Sequence, residues 1–253
     1  MFKLRVASAK EFRSALDAIG TLIDEGTFSI DPDGLKLRAM DPSRIAMVDF
    51  MWGRSVFDEY EAPEEGMKLC VSIDELKRLL KKARRDESLE LALDPPTGRL
   101  KVTMRGRYTK SFTIPRLEAI AEEVPGELKI TFDAKITLDA DELKKAITDV
   151  SLVGDFVKFS ADNERLLLTA ESDVSSASVE FSRTSEAVID FDVKEPSTAT
   201  FDTSMLEKML KAGSALADVV TLEFSTNKPI KLDFRLPYEG KLVFYLAPRV
   251  EAE

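Results

Sequence analysis

The stretch Phe28-Ser29-Ile30-Asp31-Pro32-Asp33-Gly34-Leu35-Lys36-Leu37-Arg38-Ala39 returns farther along the chain as Phe159-Ser160-Ala161-Asp162-Asn163-Glu164-Arg165-Leu166-Leu167-Leu168-Thr169-Ala170. Leu35, Leu37 and Ala39 alternate with charged residues and follow an Asp-rich turn, the pattern of a half-buried strand in a hairpin. Working outward, the match holds a spacing of about 131 residues through most of the sequence. Upstream, Phe12, Leu16 and Ile19 fall on Leu143, Ile147 and Val150; downstream, Val48 and Phe50 fall on Val179 and Phe181. After one residue of slippage, Leu76, Arg78, Leu80 and Lys81 fall on Leu206, Lys208, Leu210 and Lys211. The match closes with Lys101, Val102, Arg105, Tyr108 and Ile114 on Lys231, Leu232, Arg235, Tyr238 and Phe244. The chain is therefore a duplication. Each half carries an amphipathic helix, alternating strands, a second amphipathic helix and further strands.

Phe12, Leu16, Ile19 and Ile23 recur at helical spacing and define the buried face of the first helix. The second helix opens on Asp74 and Glu75, which suit the amino end of the dipole, and its pattern predicts continuation through Lys77, Arg78, Lys81, Lys82, Arg84 and Arg85. Its apolar side is Ile73, Leu76, Leu79, Leu80 and Ala83. Between the halves, Pro115 to Gly126 is bracketed by prolines and acidic at its centre, as a linker would be. A short helix over Leu117 to Glu123 is the competing reading, because Ala and Glu favour one. The expected divisions are residues 1–115, a linker 116–126, and residues 127–253.

With 253 residues, 44% of them hydrophobic, the chain has enough apolar surface for one large core or two ordinary ones. Apolar runs are broken by charges and no basic-then-apolar leader is visible, so a soluble intracellular protein without membrane contact is expected. Cys70, the single cysteine, reads as a packing residue in an apolar run. Histidine is absent, which removes the commonest general base and zinc ligand. Asp31-Pro32-Asp33-Gly34 lacks the spacing and closing Glu of a calcium loop, so neither a metal nor a cofactor is expected. A magnesium-dependent nuclease or phosphoryl-transfer enzyme built on Asp41, Asp49 and Asp58 stays open as an alternative.

Asp and Glu outnumber Lys and Arg 46 to 36, giving a net charge of −10. Net charge governs long-range repulsion, whereas phosphate binding needs only a local basic surface. The cations concentrate on the helices: Lys10 and Arg13, then Lys77, Arg78, Lys81, Lys82 and Arg84, and in the second half Lys144, Lys145, Lys208 and Lys211. A solvated helix face explains one such cluster, but recurrence on a duplicated scaffold points to a partner. Basic helices in an acidic body suit loose, sequence-independent contact with duplex DNA phosphates. No motif for base readout is present.

Leu37-Arg38-Ala39-Met40-Asp41-Pro42-Ser43-Arg44-Ile45-Ala46-Met47-Val48, Phe57-Asp58-Glu59-Tyr60, Val153-Gly154-Asp155 and the closing Tyr245-Leu246-Ala247-Pro248-Arg249-Val250 carry a resemblance. Together they resemble the proliferating cell nuclear antigen sliding clamps, archaeal more than eukaryotic, over essentially the whole chain. The resemblance implies an α+β fold of two duplicated clamp domains per chain, with inner helices, outer antiparallel sheets and a pseudo-sixfold ring. It implies a processivity factor that encircles double-stranded DNA and assembles with itself as a homotrimer or with paralogous subunits, the latter including a checkpoint-type heterotrimer.

The implied subunit interface pairs the strand carrying Arg107, Tyr108, Lys110, Phe112 and Ile114 with the one carrying Val174, Ser176, Ser178 and Glu180 of the next copy. The implied peptide pocket uses Met40, Arg44, Ile45, Met47, Val124, Pro125, Pro229, Tyr245, Leu246, Ala247, Pro248 and Val250. Its partners would be DNA polymerase, the clamp loader, flap endonuclease and DNA ligase, each docking a short helical motif. The implied location is the archaeal cytoplasm at the nucleoid, or the nucleus if the source is eukaryotic.

Overall fold

The computed structural model describes residues 2–118, 125–126 and 128–249. The first half runs β1 (Lys3–Val6), α1 (Ala9–Ile19), β2 (Glu25–Asp31), β3 (Gly34–Met40), β4 (Ala46–Gly53), β5 (Glu59–Glu61), β6 (Met67–Ser72), α2 (Ile73–Leu79), β7 (Ser88–Leu93), β8 (Leu100–Arg105) and β9 (Thr109–Ile114). The second runs β10 (Ala134–Asp139), α3 (Ala140–Ser151), β11 (Phe156–Ala161), β12 (Arg165–Glu171), β13 (Ser176–Ser182), β14 (Val188–Val193), β15 (Ser197–Asp202), α4 (Thr203–Ser214), β16 (Val219–Phe224), β17 (Ile230–Arg235) and β18 (Lys241–Leu246). Two compact units result; Leu236–Leu242 belongs to the first, and Ile45–Met47 to the second.

In the first unit the strands lie in the orders β5-β1-β7-β8-β9 and β6-β2-β3-β4; in the second, β14-β10-β16-β17-β18 and β15-β11-β12-β13 repeat them. The duplication read from apolar positions is thus a duplication of topology. It departs from the sequence match at one place. The connection before β9 spans 106–108, whereas the one before β18 spans 236–240, so Phe112 corresponds to Phe244 and Ile114 to Leu246. The longer connection is a tight turn in which Tyr238 and Glu239 both take left-handed backbone (φ 55° and 59°) and the Gly240 N–H donates to the Pro237 carbonyl.

Three helices begin where the preceding strand ends in a capping side chain, and α1 is capped two residues past its strand. Ser8 accepts from the Glu11 N–H, Ser72 from Glu75, Asp139 from Asp141 and Glu142, and Asp202 from Met205. The predicted stripes are inward: Phe12, Leu16 and Ile19 on α1, and Leu143, Ile147 and Val150 on α3, are all buried. Phe12, Phe50 and Phe57 surround Trp52 at 5.5–6.2 Å in the first core, and Phe159 meets Phe201 and Phe224 at 5.5 and 5.9 Å in the second. Helix α4 comes so close to β17 that a Cβ on Gly213 would stand 2.3 Å from the Phe234 ring, which only glycine avoids.

Helix α2 is shorter than its pattern predicts, stopping at Leu79 with Leu80 as its cap. Continuation would set Lys77 above Lys81 and Arg78 above Lys82, like charges one turn apart that destabilise a helix. Lys81, Lys82, Arg84 and Arg85 instead occupy the turn that leads to β7. Of the linker, Leu117 makes a single antiparallel bridge to Cys70, its N–H on the Cys70 carbonyl at 2.9 Å. The rest of the alternative helix, residues 119–123, lies outside the described residues. No helix among the described residues is long and apolar enough to cross a membrane.

Candidate nucleic-acid interface

In each unit the two helices pack side by side, α1 on α2 and α3 on α4. The eleven sequence-predicted cations divide into two sets. Five are engaged by the protein itself. Arg13 donates from Nη1 to the Lys81 carbonyl (2.8 Å) and approaches Asp17 at 3.4 Å, tying α1 to the turn after α2. Lys77 lies between Asp74 (3.4 Å) and the Gly20 carbonyl at the end of α1 (3.5 Å). Arg78 grips Glu75 with both sides of its fork, at 2.5 and 3.1 Å, and this hydrogen bonding raises its pKa. Lys144 holds Asp141 and reaches Ser214 on α4 at 3.2 Å; Lys145 holds Glu142 at 2.7 Å.

Asp74, Glu75, Asp141 and Glu142, which suit the amino ends of α2 and α3, are thus each covered by a cation about one turn on. The other six, Lys10, Lys81, Lys82, Arg84, Lys208 and Lys211, are exposed and make no ion pair among the described residues. These are the charges available to a phosphate. Base-directed geometry is not needed for such contact, and flexible lysines on a helix or turn supply it.

The carboxylates of the enzyme alternative do not converge. Asp49 is held by Arg38 (2.7 Å) and Lys241 (2.8 Å) in the first unit; Asp58 lies 3.9 Å from Arg5; Asp41 accepts the Ser43 N–H at 3.0 Å. Among the described residues no three His, Cys, Asp or Glu side chains gather as metal ligands. Burial pushes the Asp49 carboxyl up, but hydrogen bonds from Lys241 and Arg38 outweigh it and hold it below the usual carboxylate range. A depressed pKa stabilises the fold above the unfolded value of about 3.9, and that contribution is lost as pH falls through the folded value. Asp49→Asn should therefore cost about 1–2 kcal/mol at neutral pH, discounted for the water that reaches Arg38 and Lys241. Urea titrations at pH 7 and pH 3 check this: the gap from wild type should be largest at pH 7 and shrink at pH 3.

Strands β9 and β13 each end a strand order, so one side of each is open in this chain. Tyr108 and Val174 beside them are exposed (59% and 93%), as are Arg107, Ser176, Ser178 and Glu180. Three of the predicted interface residues are used internally, Glu180 among them, which accepts from Arg165 on β12 at 2.8 Å. Ile114 is buried in its own unit, and Lys110 binds the buried Glu87 carboxylate at 2.7 Å, which holds that carboxyl low. Leu152, 82% exposed just after α3, was missed by the sequence reading. Its signal was an apolar residue placed off the Leu143-Ile147-Val150 stripe.

The predicted peptide-pocket residues have mixed placements. Ile45 is exposed and its carbonyl accepts the Ala247 N–H at 2.8 Å, within the second unit. Arg44 is exposed in left-handed backbone (φ 58°), and Met40, Pro229, Tyr245, Ala247 and Pro248 are half-buried while Pro125 is exposed. Met47 and Leu246 are closed into the core at 3% and 1% exposure, so those two serve packing in this chain. Val124 and Val250 lie outside the described residues.

Comparison with known families decides among the readings these surfaces allow. The N-terminal domain of proliferating cell nuclear antigen matches residues 1–113, and its C-terminal domain matches residues 127–249. The chain belongs to the proliferating cell nuclear antigen family. Among relatives of this PCNA chain, the DNA polymerase sliding clamp 1 of Pyrobaculum aerophilum is 37% identical over 98% of both chains. The DNA polymerase sliding clamp of Thermofilum pendens is 33% identical over 99% of this chain and all of that one. Among solved structures, PCNA of Thermococcus kodakaraensis superposes with a TM-score of 0.91 at 26% identity, covering 98% of this chain and 100% of its own. The PCNA2–PCNA3 complex of Sulfolobus tokodaii gives 0.89 at 28% identity with the same coverage. The α+β clamp fold expected from the sequence is the fold observed.

Proposed function

We propose that this PCNA chain closes with two further copies into a ring around duplex DNA and there tethers a DNA polymerase. It is a processivity factor of the sliding-clamp kind and makes or breaks no bond itself. The observation that carries the reading is family membership from end to end, with the helix cations and the open edges of β9 and β13 as its physical means. A ring threaded by DNA cannot leave sideways, so a bound polymerase stays near the primer end at high effective concentration. Cations Lys10, Lys81, Lys82, Arg84, Lys208 and Lys211 would supply weak phosphate attraction that permits sliding.

Assembly is proposed through β9 of one copy against β13 of the next, which pairs two edges that would otherwise invite aggregation. Ladder hydrogen bonds and the apolar Tyr108, Phe112, Leu152 and Val174 supply most of the adhesion, since exposed ion pairs are worth about 0–1 kcal/mol each. A second arrangement, unlike PCNA chains in one ring, has support in the likeness to a complex of two different PCNA subunits. Short helical motifs of polymerase, clamp loader, flap endonuclease and DNA ligase are proposed to dock on Ile45, Tyr245, Ala247 and Pro248, with Pro125 and Pro229 at the rim. In an archaeal cell the site of action is the cytoplasm.

Primer extension on a singly primed circle, with polymerase and loader from the same cell, tests the reading. Products should lengthen several-fold when the chain is added. Unchanged product length would overturn the assignment.

A further inference from the structure

The first unit holds an ion triad whose three positions recur, through the duplication, in and beside the strands proposed to pair between copies. Strand β18 repeats β9, and β4 repeats β13. In the first unit the start of β18 lies alongside β4, where Lys241 donates to Asp49 at 2.8 Å while Arg38 of β3 donates to the same carboxylate oxygen at 2.7 Å. Strand bounds carry each member to its repeat. Lys241 opens β18 as Thr109 opens β9; Asp49 lies one residue before Phe50 as Glu180 lies one before Phe181; Arg38 precedes Ala39 as Thr169 precedes Ala170.

We infer that in the junction between copies Thr109 of one chain takes the place Lys241 holds against Asp49, with Glu180 of the next chain as its acidic neighbour, so the ion triad of the first unit is missing there. The inference rests on the proposed β9–β13 pairing and adds its register. Glu180 is not without a partner: Arg165 on the adjacent β12 reaches it at 2.8 Å, but from the same chain and half exposed, so that pair ties nothing across the junction. Thr109 and Ser111 on the outer face of β9 are exposed and uncharged. At this register position β9 therefore brings no charge to Glu180, and a cation at position 109 supplies one.

The test is the rate at which fluorescently labelled and unlabelled full-length chains exchange within assembled rings. Thr109→Lys should slow exchange about threefold to tenfold, because a departing chain breaks two junctions that each gained a cross-chain ion pair. Thr109→Gln, of similar reach without charge, should exchange at the wild-type rate, and Glu180→Gln combined with Thr109→Lys should abolish the gain. Exchange unchanged in Thr109→Lys, or slowing that survives Glu180→Gln, overturns the register while leaving the assembly reading in place. A wild-type chain that remains a monomer at every concentration, by light scattering, overturns the pairing and the register with it.

Discussion

A chain carrying Ser111→Glu and Thr113→Glu should fold normally and fail to assemble. Both side chains are exposed on β9, and neither touches the core formed by Leu100, Val102 and Met104 of the adjacent strand. In the proposed register, with Thr109 beside Glu180, they face the uncharged Ser178 and Ser176, so two new anions are covered unpaired in a chain already carrying a net charge of −10. Covering a carboxylate in the junction with no cation paired to it is costly, and Glu180 nearby adds like charge. The expected solution mass falls from three times 28.2 kDa to 28.2 kDa at micromolar concentration. Polymerase stimulation should fall at least about tenfold, since tethering requires closure. Far-ultraviolet circular dichroism and the thermal midpoint should stay near wild type. Assembly retained in the double variant would show that these strands do not form the junction.

The second large effect concerns the turn after α2. Lys81, Lys82 and Arg84 are exposed and unpaired among the described residues, whereas Arg78 and Lys145 are already neutralised by Glu75 and Glu142. Replacing the three by alanine should lower DNA affinity and flatten its salt dependence, each lost phosphate contact removing about 0.9 from the slope of log K against log salt. Replacing Arg78 and Lys145 should change the slope less, because each leaves an uncovered carboxylate but removes little free charge. Fluorescence anisotropy of a labelled duplex between 50 and 200 mM salt, about the range where such slopes are read, makes the comparison. Equal slopes for wild type and the triple variant would remove these residues from the DNA surface.

Much of this was legible in the sequence because a duplication writes the same physical requirement twice. Phe12, Leu16 and Ile19 alone predict a helix; their recurrence as Leu143, Ile147 and Val150 predicts a repeated unit, and the repeated strand orders are that unit. The family resemblance rested on four short stretches of strand, loop and tail, and full-length family membership agrees with it. What stayed hidden depends on distance between residues far apart in the chain. Nothing in the spacing of Arg38, Asp49 and Lys241 announces an ion triad, and nothing in Lys110 announces Glu87. Periodicity also could not see that α2 ends at Leu79, because its apolar stripe continues to Leu80 and Ala83, although a longer helix would stack like charges at 77 and 81 and at 78 and 82. The slip at Ile114 arose from a turn whose length differs between the halves, where strand bounds and not residue likeness hold the register.

The central claim is that attachment to DNA is topological, with the basic helices contributing only weak contact. Its most direct measurement is the lifetime of the loaded, fluorescently labelled chain on a nicked circle, followed before and after a single cut linearises that circle. The account predicts a long lifetime on the circle and rapid loss through the new ends after cutting, with end-blocking restoring retention. Equal lifetimes on circular and open linear DNA would contradict it.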